Sequence, residues 1–559
     1  MPSFAEHIEY PEATMFGMVE RMVKVFPDEN AYEFYGRGTT YTQFLKRIER
    51  VSAAFTKHGL GVGDCVTICM PNCPQALDCI YGLDRIGVTI SMIHPQSSQE
   101  EITFYLNTTS SKMILVPDMF CEKVERALKD VDHPCEIIVT RIQEELPAHL
   151  KALYILKVGH KYLKFPRGEN EYFWKDFLNE GEGTETTAVP FDMDRTSVIL
   201  FSGGTTGKAK GICLTDYNIN ACALQAREAM EEEFREGFRM LSCMPIFHGF
   251  GLGINIHVVL THGACCILMP TFNIKTYSEM LLKKKPNFIA GVPAIFDALL
   301  RMPNLEGQDL SFLRGMFCGG DSLTVELKRK IDAFLKEHNA DIQVREGYGL
   351  TECVTASCLT PKDTYKEGSI GLPFPDTVYA IVRPGTDDVV PFGEEGEIIL
   401  RGPSVMKGYL NDPEETAETL RVLKDGNTWL YTGDLGMMDE EGYVYFRQRI
   451  KRMIVTNGYN VYPSVLENAL ETCPEVSCGC VIGVRDERKG QRVRAYVVLN
   501  EGYKPTDKTK DSIMKQMKVK VAGYALPKEI IFREDLPKTL VGKVAYRILE
   551  EEAEKEQVI

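Results

Sequence analysis

The sequence predicts an α/β protein: a large N-terminal part of several subdomains with mixed or parallel sheets, followed by a small α+β C-terminal domain. Two observations support this fold class. Short apolar runs alternate with helix-like segments, which is typical of largely parallel sheets covered by helices. A turn-rich and then basic stretch near residue 450 separates the last part of the chain from the rest.

The strands are expected where β-branched and other apolar residues form short uninterrupted runs. These runs are 65–70, 112–116, 197–201, 287–292 and 397–400. Pro293 follows one of them and is suited to the first turn of a helix, where its missing N–H costs nothing. The sequence therefore predicts repeated strand–helix units.

The domain boundary is expected close to 447–452. The preceding segment, 439–443, is rich in acidic residues and contains Gly442, which is typical of a turn. Roughly 110 residues follow, which is within the usual size range of a domain. We therefore predict an N-terminal domain over 1–448 and a C-terminal domain over 449–559.

Composition excludes some classes of function. Of 559 residues, 44% are hydrophobic and 26% charged, and the formal net charge is −15. An acidic chain is a poor match to nucleic acid, whose phosphates require clustered Lys and Arg. No apolar run is long enough to span a membrane, and the N-terminus lacks the features of a secretory signal. The 17 cysteines show no metal-binding spacing, which favours buried, reduced thiols in a cytoplasmic protein.

One basic and apolar segment, 150–165, allows two interpretations. Its basic residues alternate with leucine, isoleucine, tyrosine and phenylalanine. Such an element can make weak contact with an anionic membrane surface. The alternative is a surface helix that packs on the body of the protein.

The most informative stretch begins where the run 197–201 ends. Residues 202–211 read Ser-Gly-Gly-Thr-Thr-Gly-Lys-Ala-Lys-Gly. Glycines allow the backbone to turn tightly and present N–H groups to an anion, while hydroxyls and lysines add donors and charge. The spacing differs from the Walker pattern, because Gly203 and Gly207 are separated by three residues and Ala209 follows Lys208. The stretch predicts a loop that binds polyphosphate.

This loop resembles the signature of the adenylate-forming superfamily of acyl-CoA synthetases, adenylation domains and luciferases. Four further stretches match that family in order. They are Tyr-Gly-Leu-Thr-Glu at 348–352, Thr-Gly-Asp at 432–434, the hinge and following loop at 446–467, and Pro-Lys-Thr-Leu-Val-Gly-Lys at 537–543. The resemblance covers almost the whole chain and implies an ATP-dependent ligase that makes an acyl-adenylate and transfers the acyl group to coenzyme A.

The resemblance also implies the roles of individual residues in the adenylation step. The phosphate loop would be Ser202, Gly203, Gly204, Thr205, Thr206, Gly207 and Lys208. Thr351 would contact phosphate and Glu352 would hold Mg²⁺. The adenine and ribose would contact Gly320, Asp321, Tyr348, Gly349, Asp434 and Arg449. Lys543 would bridge the carboxylate and the α-phosphate, where charge concentrates in the transition state.

For the second step the resemblance implies a rotation of the small domain. The hinge would be Lys451, and Gly458 would then line the path of the pantetheine arm of coenzyme A. Three sites depart from the family pattern: Ala209 replaces a proline, Gln448 replaces a glycine, and Asp321-Ser322 replaces Ala-Pro.

The acyl substrate is expected near His248, which matches a residue that gates the site between the half-reactions. Gly249, Gly251 and Gly253 suggest room for a long or bulky acid. The segment 288–300 is most similar to fatty acyl-CoA synthetases, although its apolar residues could equally form plain core. The substrate is therefore expected to be a small-molecule carboxylic acid, either a medium- or long-chain fatty acid or an aryl, bile or other bulky acid.

Three other functions stay open at this stage. They are a stand-alone adenylation enzyme that loads a carrier protein, a luciferase-type monooxygenase, and a silent relative that serves as a scaffold. Retention of Thr206, Glu352, Asp434, Arg449 and Lys543 disfavours the last. The sequence does not indicate an oligomeric state.

Overall fold

The computed structural model describes residues 4–157, 170–202, 209–232, 235, 237–456, 459–486, 490–539 and 544–558. Its architecture is α/β, as predicted, with three sheets before residue 450 and a fourth after it.

The strands and helices have the following bounds. The strands are β1 (Asn30–Phe34), β2 (Arg37–Thr40), β3 (Cys65–Ile68), β4 (Thr89–Met92), β5 (Met113–Pro117), β6 (Glu136–Thr140), β7 (Glu171–Phe173), β8 (Thr196–Ser202), β9 (Lys210–Thr215), β10 (Arg239–Ser242), β11 (Cys265–Leu268), β12 (Phe288–Gly291), β13 (Gly315–Cys318), β14 (Val344–Tyr348), β15 (Cys358–Leu359), β16 (Leu372–Pro373), β17 (Val378–Val382), β18 (Gly396–Arg401), β19 (Gly408–Tyr409), β20 (Leu420–Val422), β21 (Thr428–Met438), β22 (Val444–Arg449), β23 (Ile454–Thr456), β24 (Tyr459–Val461), β25 (Val476–Asp486), β26 (Gly490–Leu499) and β27 (Glu529–Arg533). The helices are α1 (Met15–Val25), α2 (Tyr41–Lys57), α3 (Pro74–Arg85), α4 (Gln99–Thr109), α5 (Cys121–Leu128), α6 (Ala148–Lys157), α7 (Trp174–Glu180), α8 (Asp216–Met230), α9 (Val258–Leu260), α10 (Ile274–Lys284), α11 (Pro293–Leu299), α12 (Val325–Glu337), α13 (Pro413–Thr419), α14 (Pro463–Glu471), α15 (Asp507–Lys520) and α16 (Tyr546–Val558).

Two large sheets with parallel centres form most of the N-terminal part. One has the strand order β16-β15-β14-β13-β12-β10-β11-β1-β2, and the other β19-β9-β8-β4-β3-β5-β6-β7. The inner strands of both are parallel, whereas the outer pairs β14–β15, β1–β2 and β8–β9 are antiparallel. Every predicted strand is confirmed, and Pro293 occupies the first turn of α11 as expected.

The third sheet is antiparallel and contains the predicted strand at 397–400 within β18. Its order is β17-β18-β21-β20, with β22 beside β21. The mixture of sheet types confirms the predicted fold class. It also shows that strand–helix alternation describes the first two sheets only.

Residues beyond 453 form a smaller α+β unit with a sheet of its own. β26 pairs antiparallel with β25 and β23, and parallel with β27. Two clusters of buried side chains belong wholly to this unit, one centred on Leu470 and Met517 and the other on Tyr496 and Leu549. The division at 448/449, and the mobility of the small unit, remain predictions.

Local sequence explains where several helices begin. The side chains of Thr40, Ser98 and Thr215 each accept the backbone N–H of the third residue of the following helix, and the side chain of that third residue accepts the backbone N–H of the cap residue. This reciprocal arrangement satisfies N–H groups that have no partner inside the helix.

The cysteines behave as small hydrophobic residues. All 17 lie among the described residues as free thiols, and all except Cys135 and Cys478 are buried. Burial raises the thiol pKa, for Cys69 to about 12. The described helices include none that is long and apolar enough to cross a bilayer.

The basic and apolar segment 150–165 is described only up to residue 157, as the end of α6. Leu150 and Tyr154 pack against the main core, whereas the side chain of Leu156 is 77% exposed. The described half therefore fits a surface helix. The remaining residues of the segment lie outside the described part, and membrane contact stays a prediction.

A buried charge cluster joins the N-terminal helix α1 to α3 and α8. Arg195 lies between Asp84 on α3 and Asp216 on α8, with N···O distances of 2.7 and 2.5 Å. The two carboxylates also accept the backbone N–H groups of Phe16 and Met15. Because both carboxylates are fully buried, they depend on Arg195 to offset their desolvation.

We expect Arg195→Met to lower the free energy of unfolding by about 3 kcal/mol, because two buried carboxylates lose their shared cation. The matched control is Arg329→Met, which removes an ion pair with Glu367 that is more than half exposed and should cost less than about 1 kcal/mol. Thermal unfolding followed by circular dichroism measures both. An equal decrease in the free energy of unfolding for both variants would show that the buried cluster stabilises the protein no more than an exposed ion pair does.

Candidate active site

A large cavity, about 1050 Å³ in volume, lies where the three N-terminal sheets meet the C-terminal unit. It brings together predicted site residues that are far apart in the sequence. Those that line it are Ser202, His248, Gly320, Tyr348, Gly349, Thr351, Glu352, Arg449 and Lys451. The predicted residues Gly203, Gly204, Thr205, Thr206, Gly207, Lys208, Gly458 and Lys543 lie outside the described residues.

The topology explains why these residues meet. The neighbouring parallel strands β10, β12, β13 and β14 all point the same way, so their carboxyl ends share one edge. The glycines at 319–320 follow β13, and Tyr348 ends β14. The carboxyl edge of a parallel sheet is the usual place for a ligand in such folds.

Asp434 connects two of the predicted nucleotide contacts. Its side chain is 2% exposed and accepts a hydrogen bond of 2.6 Å from the Tyr348 hydroxyl. Arg449 Nε lies 3.2 Å from the other carboxylate oxygen, because β21 and β22 pair these two residues directly. The carboxylate raises the pKa of Arg449, and burial together with Asp434 raises the pKa of Tyr348. The group is thus a preorganised acceptor with a cation beside it.

Glu352 is held in place by a residue that sequence reasoning missed. It lies in the 3₁₀ turn Thr351–Cys353, and its Oε1 accepts a hydrogen bond of 2.9 Å from the Tyr409 hydroxyl. Lys210 stacks over the Tyr409 ring at 5.0 Å and pairs with Glu415. Nothing in the sequence near Tyr409 links it to a residue 57 positions earlier, so only the fold reveals the contact.

The donor set around Glu352 is compatible with Mg²⁺ held jointly with a nucleotide. Within the described part of the chain, no three His, Cys, Asp or Glu side chains are grouped to hold a metal alone. Thr351 and Glu352 offer one hydroxyl and one carboxylate on the cavity wall. Mg²⁺ typically takes one or two carboxylates and completes its octahedron with phosphate and water oxygens.

Asp321 is placed differently from its neighbour Gly320. Gly320 lines the cavity, whereas the Asp321 carboxylate turns to its own loop and accepts the N–H of Ser322 at 2.9 Å. Below this loop, buried Glu346 accepts the N–H of Leu323 at 3.1 Å, and burial raises the pKa of Glu346 to about 8. Glu346 therefore supports the loop.

His248 stands at the start of the π-helix Phe250–His257 on the cavity wall. Its Nδ1 accepts a hydrogen bond of 3.3 Å from the N–H of Phe250. The ring of the preceding residue, Phe247, packs on His94 with centroids 4.4 Å apart. This fixes the backbone that carries His248 beside the cavity.

The glycines near His248 do not provide room, and that expectation was wrong. A Cβ atom on Gly249 would lie 1.8 Å from the carbonyl oxygen of Val354, and one on Gly251 1.9 Å from that of Pro245. Gly253 is less crowded, with Thr355 Cγ2 at 3.0 Å. Glycine is required at positions 249 and 251 because the backbone of another segment lies where a Cβ atom would be, and only glycine permits so close an approach.

The turn that meets Gly249 is itself strained. Val354 has φ +66° and ψ −60°, and the N–H of Thr355 bonds to the carbonyl of Cys353 at 2.8 Å. This is a γ-turn of the rare kind, at a β-branched residue that avoids positive φ. The turn also lines the cavity. Its close contact with Gly249 helps to hold the strained backbone.

The apolar side of the cavity does not include the segment expected from 288–300. Its apolar lining comes instead from α8, the π-helix, β13 and β15, among other segments. Phe288, Ala290, Phe296 and Leu299 are buried in the main core. Within the described residues, the alternative interpretation is therefore supported: segment 288–300 forms part of the hydrophobic core and does not line the cavity.

The C-terminal unit also contributes to the cavity. Ile450 and Lys451, in the 3₁₀ turn Ile450–Arg452, line it together with Thr539 and Val544. The two segments that flank residues 540–543 thus both reach the cavity wall.

Two family models match the chain. The model for AMP-binding enzymes matches residues 19–410, and that for the C-terminal domain of AMP-binding enzymes matches residues 465–543.

The chain is similar to curated proteins over nearly its whole length. It is 34% identical to a long-chain-fatty-acid–CoA ligase of Bacillus subtilis, over 98% of this chain and 96% of that protein. It is 28% identical to a probable 4-coumarate–CoA ligase of Dictyostelium discoideum, over 98% and 96%.

Among solved structures, the anthranilate–CoA ligase AuaEII in complex with anthranoyl-AMP superposes with a TM-score of 0.84, at 22% identity and covering 100% of this chain and 99% of that chain. This likeness confirms the fold.

We expect Gly249→Ala to destabilise the protein by about 3 kcal/mol, because the new Cβ must displace the Val354 carbonyl. Gly253→Ala, which meets only a side-chain methyl group, should cost less than about 1 kcal/mol. Thermal unfolding of both variants measures the difference. If Gly249→Ala were as stable as Gly253→Ala, the space beside Gly249 would be open after all.

Proposed function

The chain belongs to the AMP-binding enzyme family, and on that premise we propose that it is an ATP-dependent acid–thiol ligase acting on fatty acids. It would first join a carboxylate to AMP with release of pyrophosphate, then transfer the acyl group to coenzyme A. The observation that carries this proposal is one cavity whose wall includes Tyr348, Arg449 and Glu352 together with apolar residues. Tyr348 and Arg449 both contact the buried Asp434 carboxylate.

For the adenylation step, each described residue has a task suited to its chemistry. The buried Asp434 carboxylate can accept hydrogen bonds from ribose hydroxyls, and Arg449 beside it can approach ribose or phosphate. Ser202, at the end of β8, leads into the predicted loop 203–208 that would surround the β- and γ-phosphates. Hydrogen-bond donors of this loop would then match the charge on the leaving pyrophosphate, which lowers the barrier.

Mg²⁺ bound at this site would neutralise phosphate charge. Glu352 would hold it, with Thr351 beside it in contact with phosphate, and the Tyr409 hydrogen bond keeps the Glu352 carboxylate turned in a fixed direction.

Lys543 would place its ammonium between the substrate carboxylate and the α-phosphate. Two anions approach each other there, so a cation stabilises the transition state more than the separate reactants. Rotation of the C-terminal unit about Lys451 would then move Lys543 out of the site and bring Gly458 beside the pantetheine arm of coenzyme A. The same adenylate would thus be surrounded by different residues in the second step.

The acyl group is proposed to be a medium- or long-chain fatty acid. The apolar lining of the cavity and the name of the Bacillus relative support this choice. The names of the coumarate and anthranilate ligases favour an aryl acid as the second candidate. A cytoplasmic location and weak contact with membrane surfaces are further proposals, as is the absence of nucleic-acid binding.

We expect the purified protein, supplied with ATP, Mg²⁺, coenzyme A and a panel of acids, to release AMP and pyrophosphate and to form a thioester with fatty acids. Chromatography of adenine nucleotides and acyl thioesters measures this. A reaction without coenzyme A serves as control and should stop near one turnover. Thioester formation only with aryl acids would select the second candidate, and transfer only to a carrier protein would replace coenzyme A as the acceptor.

We expect Lys543→Ala to slow adenylate formation by about 100-fold, because the transition-state cation is lost. Thioester formation from a supplied acyl-adenylate should change less than about threefold. Single-turnover measurements separate the two steps, and Lys528→Ala provides the matched control, because Lys528 is an exposed lysine of the same unit that does not line the cavity. Equal losses in both steps would contradict the role assigned to Lys543.

A further inference from the structure

The apolar end of the cavity is formed by side chains from four elements. They are Ala226 and Met230 on α8, Phe250 and Ile254 on the π-helix, Phe317 on β13 and Leu359 on β15. Ala226 and Met230 are four residues apart, so they lie on the same face of α8. This face of α8 therefore borders the cavity.

Behind this face lies a buried cation that the sequence analysis did not single out. Arg345, on β14, is 4% exposed and donates to the carbonyl of Met230 at 2.7 Å, to that of Thr360 at 2.7 Å and to that of Ala229. It also pairs with Glu231 at 3.1 Å.

The same guanidinium backs the cavity wall. Its centre lies 5.7 Å from the ring of Phe317, which lines the cavity, and its hydrogen bonds go to backbone carbonyls and Glu231. Arg345 thereby fastens the last turn of α8 to the strand edge after β15. Carbonyls at the end of a helix attract a cation, which strengthens the attachment.

A second contact fastens the end of α8 to the same segment after β15. Glu231 adopts a left-handed conformation with φ +54° and accepts the N–H of Lys362 at 2.6 Å. The end of α8 therefore cannot shift outward without breaking several buried hydrogen bonds, each of which is costly to leave unmade.

We propose that Ala226 and Met230, braced from behind by Arg345, form the end wall of the acyl subsite and set the longest acyl chain the enzyme accepts. This inference rests on the proposed function and deepens it. Each CH₂ group that finds room in an apolar subsite improves binding about fourfold, whereas one that meets a fixed wall loses this gain and forces displacement. A braced wall gives a sharp upper limit of length.

Two substitutions move the wall in opposite directions. Met230→Ala removes three heavy atoms from the cavity side and leaves the Met230 carbonyl available to Arg345. Ala226→Leu adds three heavy atoms on the same face, and they can extend into the cavity. Met269→Ala is the matched control, because Met269 is as buried as Met230, at 2% exposure, but belongs to the core beside β11. Met230→Val is a milder second variant should the alanine variant unfold.

The experiment measures kcat/KM for straight-chain fatty acids from about 6 to about 18 carbons by pyrophosphate release. Met230→Ala should shift the longest efficiently used acid upward by about two carbons, with a gain of roughly tenfold in the long-to-medium ratio of kcat/KM. Ala226→Leu should shift it downward by a similar amount. Met269→Ala should keep the wild-type profile. Unchanged profiles in Met230→Ala and Ala226→Leu, with both proteins folded, would overturn the inference.

Equilibrium binding of the same acids, followed by competition with a fluorescent fatty acid, separates this inference from the proposed function. A shift in the length dependence of binding without any thioester formation would support the wall and contradict the proposed function. Normal turnover of fatty acids with no shift in either measurement would support the proposed function and contradict the wall.

Discussion

The shared carboxyl edge of β10, β12, β13 and β14 is the constraint on which the site depends. Parallel strands must end side by side, so loops that are distant in sequence emerge as neighbours. The glycines at 319–320 and Tyr348 are thereby brought to the same edge. The antiparallel third sheet then places Asp434 against Tyr348 from the opposite side. A polar surface on one wall and an apolar surface on the other follow from this meeting of sheets.

Sequence reasoning succeeded where the information is local. The apolar runs predicted their strands because a buried parallel strand is apolar on both faces. The motifs around Tyr348 and Asp434 were found because each is a short string, and the fold brings them to one cavity. The roles of Tyr409 and Arg345 were not predicted from the sequence. Their partners lie 57 and about 115 residues away, and no local motif indicates these contacts. A partner that acts through tertiary contact leaves no periodicity to detect.

The glycines beside His248 show a second limit. The sequence reveals that a side chain is missing but not what fills the space. Here the space is taken by backbone carbonyls, including that of the strained turn at Val354. Strain of this kind persists only where the surroundings hold it. The apolar part of the cavity therefore owes its size to the larger side chains on α8, β13 and β15 rather than to the glycines.

The pairing of Asp434 with Arg449 lies two residues before Lys451. If the small unit turns about Lys451, the arginine at one end of the pivot also contacts the nucleotide. Occupancy of the ribose site and orientation of the small unit would then be thermodynamically linked, and each would bias the other by the same factor. Dissociation of AMP would then remove the contact between Arg449 and the nucleotide. The small unit would become free to rotate back to its first orientation at the moment when the nucleotide site is emptied.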